Sequence, residues 1–150
     1  MKIFLKISLL VIMIFGFSAC ALKPTHLELV IRSTSELNPN ENSVPSPLML
    51  QFYELESAEK FIKYDYWTLL AKNGKNLSSD LISQSKYIIT PEQEHTYKIA
   101  FDEKAKFLGV IGKFRDIKND LAWKYVINLE DNVYNYHELK IDKFDIKRVD

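Results

Sequence analysis

Three residue types in this chain offer reactive side chains: one cysteine, three histidines and a spread of carboxylates. His26, His95 and His137 lie far apart in sequence, on expected strand ends or in a turn. A lone imidazole in such a place is ordinarily a surface residue and not a ligand. The carboxylates fall in loops and on outward strand faces, where they solvate the domain. There is no Gly-x-Ser-x-Gly elbow, no phosphate-cradling glycine loop and no His-Glu-x-x-His pair. Phe114-Arg115-Asp116 followed by Trp123-Lys124 reads either as a binding patch or, more simply, as a strand end plus a core tryptophan. What remains is Cys20, the only thiol, closing Phe17-Ser18-Ala19-Cys20 at the end of an apolar run. An exported chain with one cysteine cannot form an internal disulfide, so its sulfur needs another role.

The residues in front of Cys20 supply that role. Lys2 and Lys6 precede an apolar stretch, Ile7 to Phe17, broken only by Ser8 and Gly16, and the small residues Ser18 and Ala19 follow. This is the layout of a secretory signal. The apolar core is shorter than the roughly 20 residues that a membrane-spanning helix needs. The stretch resembles a bacterial lipobox, with Phe17 where Leu is usual, in which a peptidase cuts before a cysteine already carrying diacylglyceryl on its sulfur. Residues 1–19 are then a lipoprotein signal peptide, 20–25 a lipidated tether and 26–150 the folded domain. A plain signal, or an uncleaved anchor with Cys20 incidental, is the competing reading. No cofactor is expected beyond the covalent diacylglyceryl and N-acyl groups on Cys20. Each buried methylene contributes about 0.8 kcal/mol, so several acyl chains hold firmly where one does not. Ala21 in place of Asp, by resemblance to the enterobacterial sorting rule, directs the protein to the outer membrane, lipid-anchored and facing the periplasm.

A cut before Cys20 leaves 131 residues carrying 18 basic and 20 acidic side chains. That length makes one domain, and a charge near −2 offers nothing to nucleic acid. The elements that position any site read mostly as strands. Leu27, Leu29 and Ile31 alternate with polar neighbours, as in a half-buried strand. Leu48 to Leu55 is apolar on both faces, which points to a central or doubly covered strand. Ser57 and Asp65 are suited to cap two short helices, with Gly74 as a terminator, and 76–84 look irregular. Strand patterns resume at Ser85 to Ile89, at Thr96 to Phe101 with Tyr97, Ile99 and Phe101 inward, at Phe107 to Phe114, and through Trp123, Tyr125, Ile127 and Leu129. Gly109 and Gly112 mark a bulge or a close approach. His137 to Ile141 and Phe144 to Lys147 form a closing hairpin across Asp142-Lys143. Seven or eight short strands with one helical insertion make a β-sandwich.

One segment breaks the pattern. Ser33 to Pro47 holds three prolines, three asparagines and four serines, a composition unsuited to a strand ladder. At about 14 residues it is longer than most connections in compact domains. Proline stiffens it, so it reads as a shaped projection, against the alternative of a disordered excursion. Leu37 and Val44 are its only large apolar residues.

The landmarks together resemble the TssJ family (SciN, Lip, VasD), the outer-membrane lipoproteins of bacterial type VI secretion. The residues that carry the resemblance are Leu37-Asn38-Pro39-Asn40, Pro45-Ser46-Pro47-Leu48, Gln51 to Leu55, Phe61, Asp65-Tyr66, Leu69-Leu70, Leu81-Ile82, Leu108-Gly109-Val110, Phe114-Arg115-Asp116 and Trp123-Lys124, with Lys124 where the family usually carries Arg. The resemblance implies a transthyretin-like β-sandwich with a short helical insertion and a protruding loop between the first two strands. It implies a partner, the periplasmic C-terminal region of TssM, and through it TssL. It assigns partner contact to the loop from Ser35 to Pro47, in particular Ser35, Leu37, Asn38, Pro39, Asn40, Val44, Pro45 and Pro47, with no catalytic residue, no metal and no small-molecule substrate. Two other classes stay open. A lipoprotein that binds a small ligand or assists another envelope assembly would have an apolar pocket at Tyr66 and Trp67. A transthyretin-like hydrolase would need clustered His and Arg and a C-terminal tyrosine motif, which Phe144 to Asp150 lacks.

Overall fold

Strand β1 (His26–Ser33) is the axis of the domain. In the computed structural model, which describes residues 23–117 and 123–149, it pairs antiparallel with β4 (Glu94–Ala100) on one side and parallel with β7 (Tyr134–Asp142) on the other. With β8 (Asp145–Arg148) this gives a four-stranded sheet in the order β4-β1-β7-β8. The second sheet runs β3-β2-β5-β6, from Leu81–Ile89, Leu48–Leu55, Phe107–Gly112 and Lys124–Asn128. The described residues are therefore mainly β, with eight strands in two packed sheets, as their patterning predicts.

The core follows from alternation, since successive side chains in a strand point to opposite faces. Leu27, Leu29 and Ile31 of β1 and Leu139 and Ile141 of β7 are buried, and Leu48, Leu50 and Phe52 of β2 are buried with them. Phe52 meets Tyr87 at 4.8 Å and Tyr97 of the opposite sheet at 5.4 Å between ring centroids. β2 is central, as expected, and its second face is covered too. Tyr53 packs on Phe61 at 5.5 Å, under a flap made of α1 (Glu59–Lys63), α2 (Tyr66–Leu70) and a 3-10 run, Ala71–Asp80. Gly109 serves this packing. A Cβ there would stand 2.6 Å from the Phe61 ring, so the close approach is that of an aromatic side chain rather than a backbone.

The flap is tied down by side chains at its ends. Asp65 accepts a hydrogen bond from the Thr68 N–H at 2.8 Å, the predicted cap of α2. Ser57 Oγ accepts from the Glu59 N–H at 3.3 Å but stands two residues before the start of α1; the cap position falls on Ala58, which has no side-chain cap bond, so the expected Ser57 cap is displaced by one residue. Lys124 Nζ donates to the carbonyls of Phe61, Ile62 and Tyr64 at 3.0, 2.8 and 2.7 Å. It thereby closes the C-terminal end of α1, where a cation is favoured.

Several sequence expectations need correction. Gly74 terminates no helix: α2 ends at the C-cap Ala71, and Gly74 lies inside the 3-10 run at φ +76°. The strand expected at Ser85 begins at Leu81, and Ser83 to Lys86 are exposed because β3 is an edge strand. The closing hairpin turns at Lys143-Phe144, with Asp142 opposite Asp145. Trp123 precedes β6, and its ring meets Tyr66 of α2 edge-on at 5.1 Å. His95 and His137 are not surface residues at strand ends. They stand opposite Ile31 and Leu29, on the inward face, with their Nε2 atoms buried.

Candidate functional site

The loop between β1 and β2 follows Ser33, so it lies at the end of β1 remote from His26. Its root is fastened to the neighbouring β7–β8 turn. Thr34 donates its N–H to the Ile141 carbonyl at 3.0 Å and its hydroxyl to Asp142 Oδ1 at 2.7 Å. Asn38 is the node of the loop. Its N–H donates to the Lys143 carbonyl at 2.8 Å, its Nδ2 donates to the Pro47 carbonyl at 2.9 Å, and its Oδ1 accepts from the Arg115 N–H at 2.9 Å. The buried side-chain amide thus joins the far side of the loop to the segment after β5, and the main-chain N–H of the same residue adds the β7–β8 turn. Asn38 has φ +45°, in the left-handed region where asparagine is enriched among non-glycine residues.

The tip is closed on itself. Asn40 Oδ1 accepts from the Asn42 and Val44 N–H groups, both at 2.9 Å. The Asn40 N–H donates to the Val44 carbonyl at 2.9 Å, and the Ser46 N–H to the Leu37 carbonyl at 3.0 Å. The irregular sequence therefore folds as a hydrogen-bonded knuckle. The asparagines supply bonds that a strand ladder would otherwise make, because Asx side chains bond the backbone a few residues on.

These contacts divide the residues assigned to partner contact into two groups. Leu37 is 0% exposed and Asn38 3%. In this conformation both side chains are buried, and they hold the root of the loop in place. Leu37 is anchored because the loop needs one apolar residue in the core, and Asn38 because its polar atoms are satisfied inside. Ser35, Val44, Pro45 and Pro47 are exposed, Val44 by 53%, and Pro39 and Asn40 are partly exposed. Pro39, Asn40, Glu41 and Asn42 form one wall of a cleft of about 700 Å³. Arg115, Asp116 and Phe144 form the other wall. The binding-patch reading of Arg115-Asp116 thus acquires a place beside the loop, while Trp123-Lys124 belongs to the flap. Phe144 had no sequence signal, because its role arises only when the hairpin turn is brought against the loop.

The aromatic pair that would line an apolar pocket meets edge-on, with ring centroids 5.1 Å apart. Tyr66 is buried against Trp123, whereas Trp67 is 71% exposed. Beneath them, burial pushes the Tyr53 hydroxyl up to about 12, with Tyr66 adding to the effect. Lys124 is held below the ordinary lysine range by burial, partly offset by Asp65. Among the described residues, no group of three His, Cys, Asp or Glu side chains is placed to hold a metal ion, and no helix is long and apolar enough to cross a membrane. Cys20 lies outside the described residues.

Two packed sheets, a helical flap and a hydrogen-bonded loop projecting at one end define a β-sandwich domain. The chain matches the family model described as "Type VI secretion lipoprotein, VasD, EvfM, TssJ, VC_A0113" over residues 25–144, and it belongs to that family. Its fold is similar to the T6SS lipoprotein TssJ1 from Pseudomonas aeruginosa, with a TM-score of 0.78 and 25% identity over 84% of this chain and 95% of that one. It is also similar to Serratia marcescens Lip, a membrane-bound component of the type VI secretion system, with a TM-score of 0.77 and 17% identity over 85% and 97% of the two chains. A chain in the structure of the TssM C-terminal domain from EAEC matches with a TM-score of 0.69 and 22% identity over 84% and 98%. A search of curated proteins found no match.

Proposed function

We propose that this lipoprotein is a structural tether of the type VI secretion trans-envelope complex. Diacylglyceryl and N-acyl groups on Cys20 hold it in the outer membrane, facing the periplasm. The β1–β2 loop binds the periplasmic C-terminal region of TssM and, through it, TssL. Family membership supports the lipoprotein and secretion assignments.

The observation that carries the partner reading is the construction of the loop. It is immobilised from below by Asn38 and Leu37 and presents Val44, Pro45 and Pro47 outward. A preformed loop loses little conformational freedom on docking, so less of its contact energy is offset by ordering. Its position at the end of β1 opposite the anchor suits a two-ended link. The small-ligand alternative draws no support from Tyr66, which is packed against Trp123, or from Trp67, whose side chain is exposed.

The test is a calorimetric titration of the soluble domain, made as Cys20→Ser, with the TssM C-terminal region. Val44→Asp places a charge on an exposed apolar side chain and should leave folding stability within about 0.5 kcal/mol. Affinity should fall by at least tenfold. Unchanged affinity would contradict the loop assignment.

A further inference from the structure

We infer that the turn before β7, with Val133 at its end and Tyr134 opening the strand, is a membrane-apposition surface that rests on the lipid headgroups beside the acylated cysteine. The inference rests on the proposed lipid anchor at Cys20 and goes beyond it by assigning this end of the folded domain to the bilayer.

The first support is reach. Lys23 begins the described chain, three residues after Cys20. At roughly 3.3–3.6 Å per extended residue, those three span about 10 Å. The start of β1 therefore stays close to the bilayer. The structure then fixes what stands next to it. The His26 N–H donates to the Val133 carbonyl at 3.1 Å, and the Asn132 N–H to Thr25 Oγ1 at 3.0 Å. The turn is bolted to the strand that follows the anchor, so wherever the anchor holds β1, the turn is held too.

The second support is chemistry. Val133 is 43% exposed and Tyr134 59%, an apolar and an amphipathic side chain adjacent on a polar domain end. The Tyr134 ring stacks on His26 with centroids 6.4 Å apart, and its hydroxyl donates to Glu28 Oε2 at 2.5 Å. The ring is thus held in one orientation with its polar tip satisfied. Tyrosine is enriched at membrane–water interfaces because its body is apolar and its tip is wet. Lys23 and Pro24 complete a notch of about 480 Å³ between the chain exit and the turn, bringing one cation to the surface that would meet lipid phosphates. Lipid is favoured over a protein partner because the tether places lipid there in every copy of the anchored molecule.

The experiment uses the full lipidated chain. With the Cys20 sulfur acylated, Val133→Cys supplies the single free thiol, labelled with a fluorophore that short-range nitroxide quenching reports. The control is Glu41→Cys in the exposed loop, beyond the far end of β1. That strand alone separates the two sites by seven steps of about 3.3 Å, roughly 23 Å. Both proteins are reconstituted in phosphatidylethanolamine–phosphatidylglycerol vesicles containing headgroup-labelled nitroxide lipid. At least twofold greater quenching at 133 than at 41 is expected, and Tyr134→Ser should reduce it. Equal quenching at the two sites, with the protein floating with the vesicles, overturns apposition while upholding the anchor. Failure to float overturns both. A probe at 133 that ignores lipid but shifts when the TssM C-terminal region is added overturns apposition and assigns the turn to a protein contact.

Discussion

Replacing Asn38 with alanine should release the loop without unfolding the domain. The substitution removes two side-chain hydrogen bonds, from Nδ2 to the Pro47 carbonyl and from the Arg115 N–H to Oδ1, each 2.9 Å long. Each lost bond costs about 1 kcal/mol, and somewhat more where the abandoned partner stays buried. Alanine at φ +45° adds about 1 kcal/mol of left-handed strain. The sum is about 3–4 kcal/mol, within the 5–15 kcal/mol that a domain commonly holds, so most molecules remain folded at 25 °C. At about 3–5 °C per kcal/mol for a chain of this size, Tm should fall by roughly 9–20 °C. Amide exchange at 39–46 should accelerate far more than in the strands, and affinity for the TssM region should fall in parallel. Asn38→Gly, which lacks the strain, should recover about 1 kcal/mol of stability and none of the loop protection. A Tm within 3 °C of wild type, or loop exchange unchanged, would refute Asn38 as the node.

Two further outcomes follow from the buried polar groups. Burial, with a smaller contribution from Arg148, holds the His137 pKa below its ordinary 6.5. As pH falls through 6.5 the unfolded chain takes up the proton first, so the folded state loses stability on the acid side and keeps it above pH 6.5. Urea midpoints at pH 7.5 and 5.0 should fall further in the wild type than in His137→Leu, and equal falls would remove His137 from that role. Lys124→Met deprives three carbonyls at the end of α1 of their donor and should cost about 2 kcal/mol. Lys124→Arg should retain most of that, as read by thermal unfolding, and an unchanged Tm in Lys124→Met would exclude Lys124 as the flap's clasp.

The parts of this fold that were legible in the sequence are those set by local periodicity. Leu27, Leu29 and Ile31 announce a half-buried strand, and the two apolar faces of Leu48 to Leu55 announce a strand covered twice. The Pro- and Asn-rich interval marks the loop by exclusion. Long-range pairing was not legible. The parallel match of His26 to Tyr134 joins residues more than a hundred apart, and no local pattern encodes it. The first half of β3 leaves no mark in the sequence because an exposed edge strand, with Ser83 to Lys86 in water, has no alternation to display. The same limit applies inside the loop. Leu37 and Val44 look equivalent in sequence, but one fills the core and the other faces solvent, and only the tertiary contacts of Asn38 decide which. In sequence, Lys124 is visible only as a departure from the family's usual Arg. Its task, donating to three carbonyls about 60 residues away, appears only when the flap is folded over β5 and β6.

The central claim is a link between lipid at one end and a protein partner at the other. It is tested most directly by flotation of the full lipidated chain on phosphatidylethanolamine–phosphatidylglycerol vesicles with the soluble TssM C-terminal region added. The account predicts that wild type floats and carries the TssM region with it. Val44→Asp should float alone, and Cys20→Ser should leave a TssM-bound complex at the bottom of the gradient. TssM recruitment undiminished by Val44→Asp, or flotation undiminished by Cys20→Ser, would contradict it.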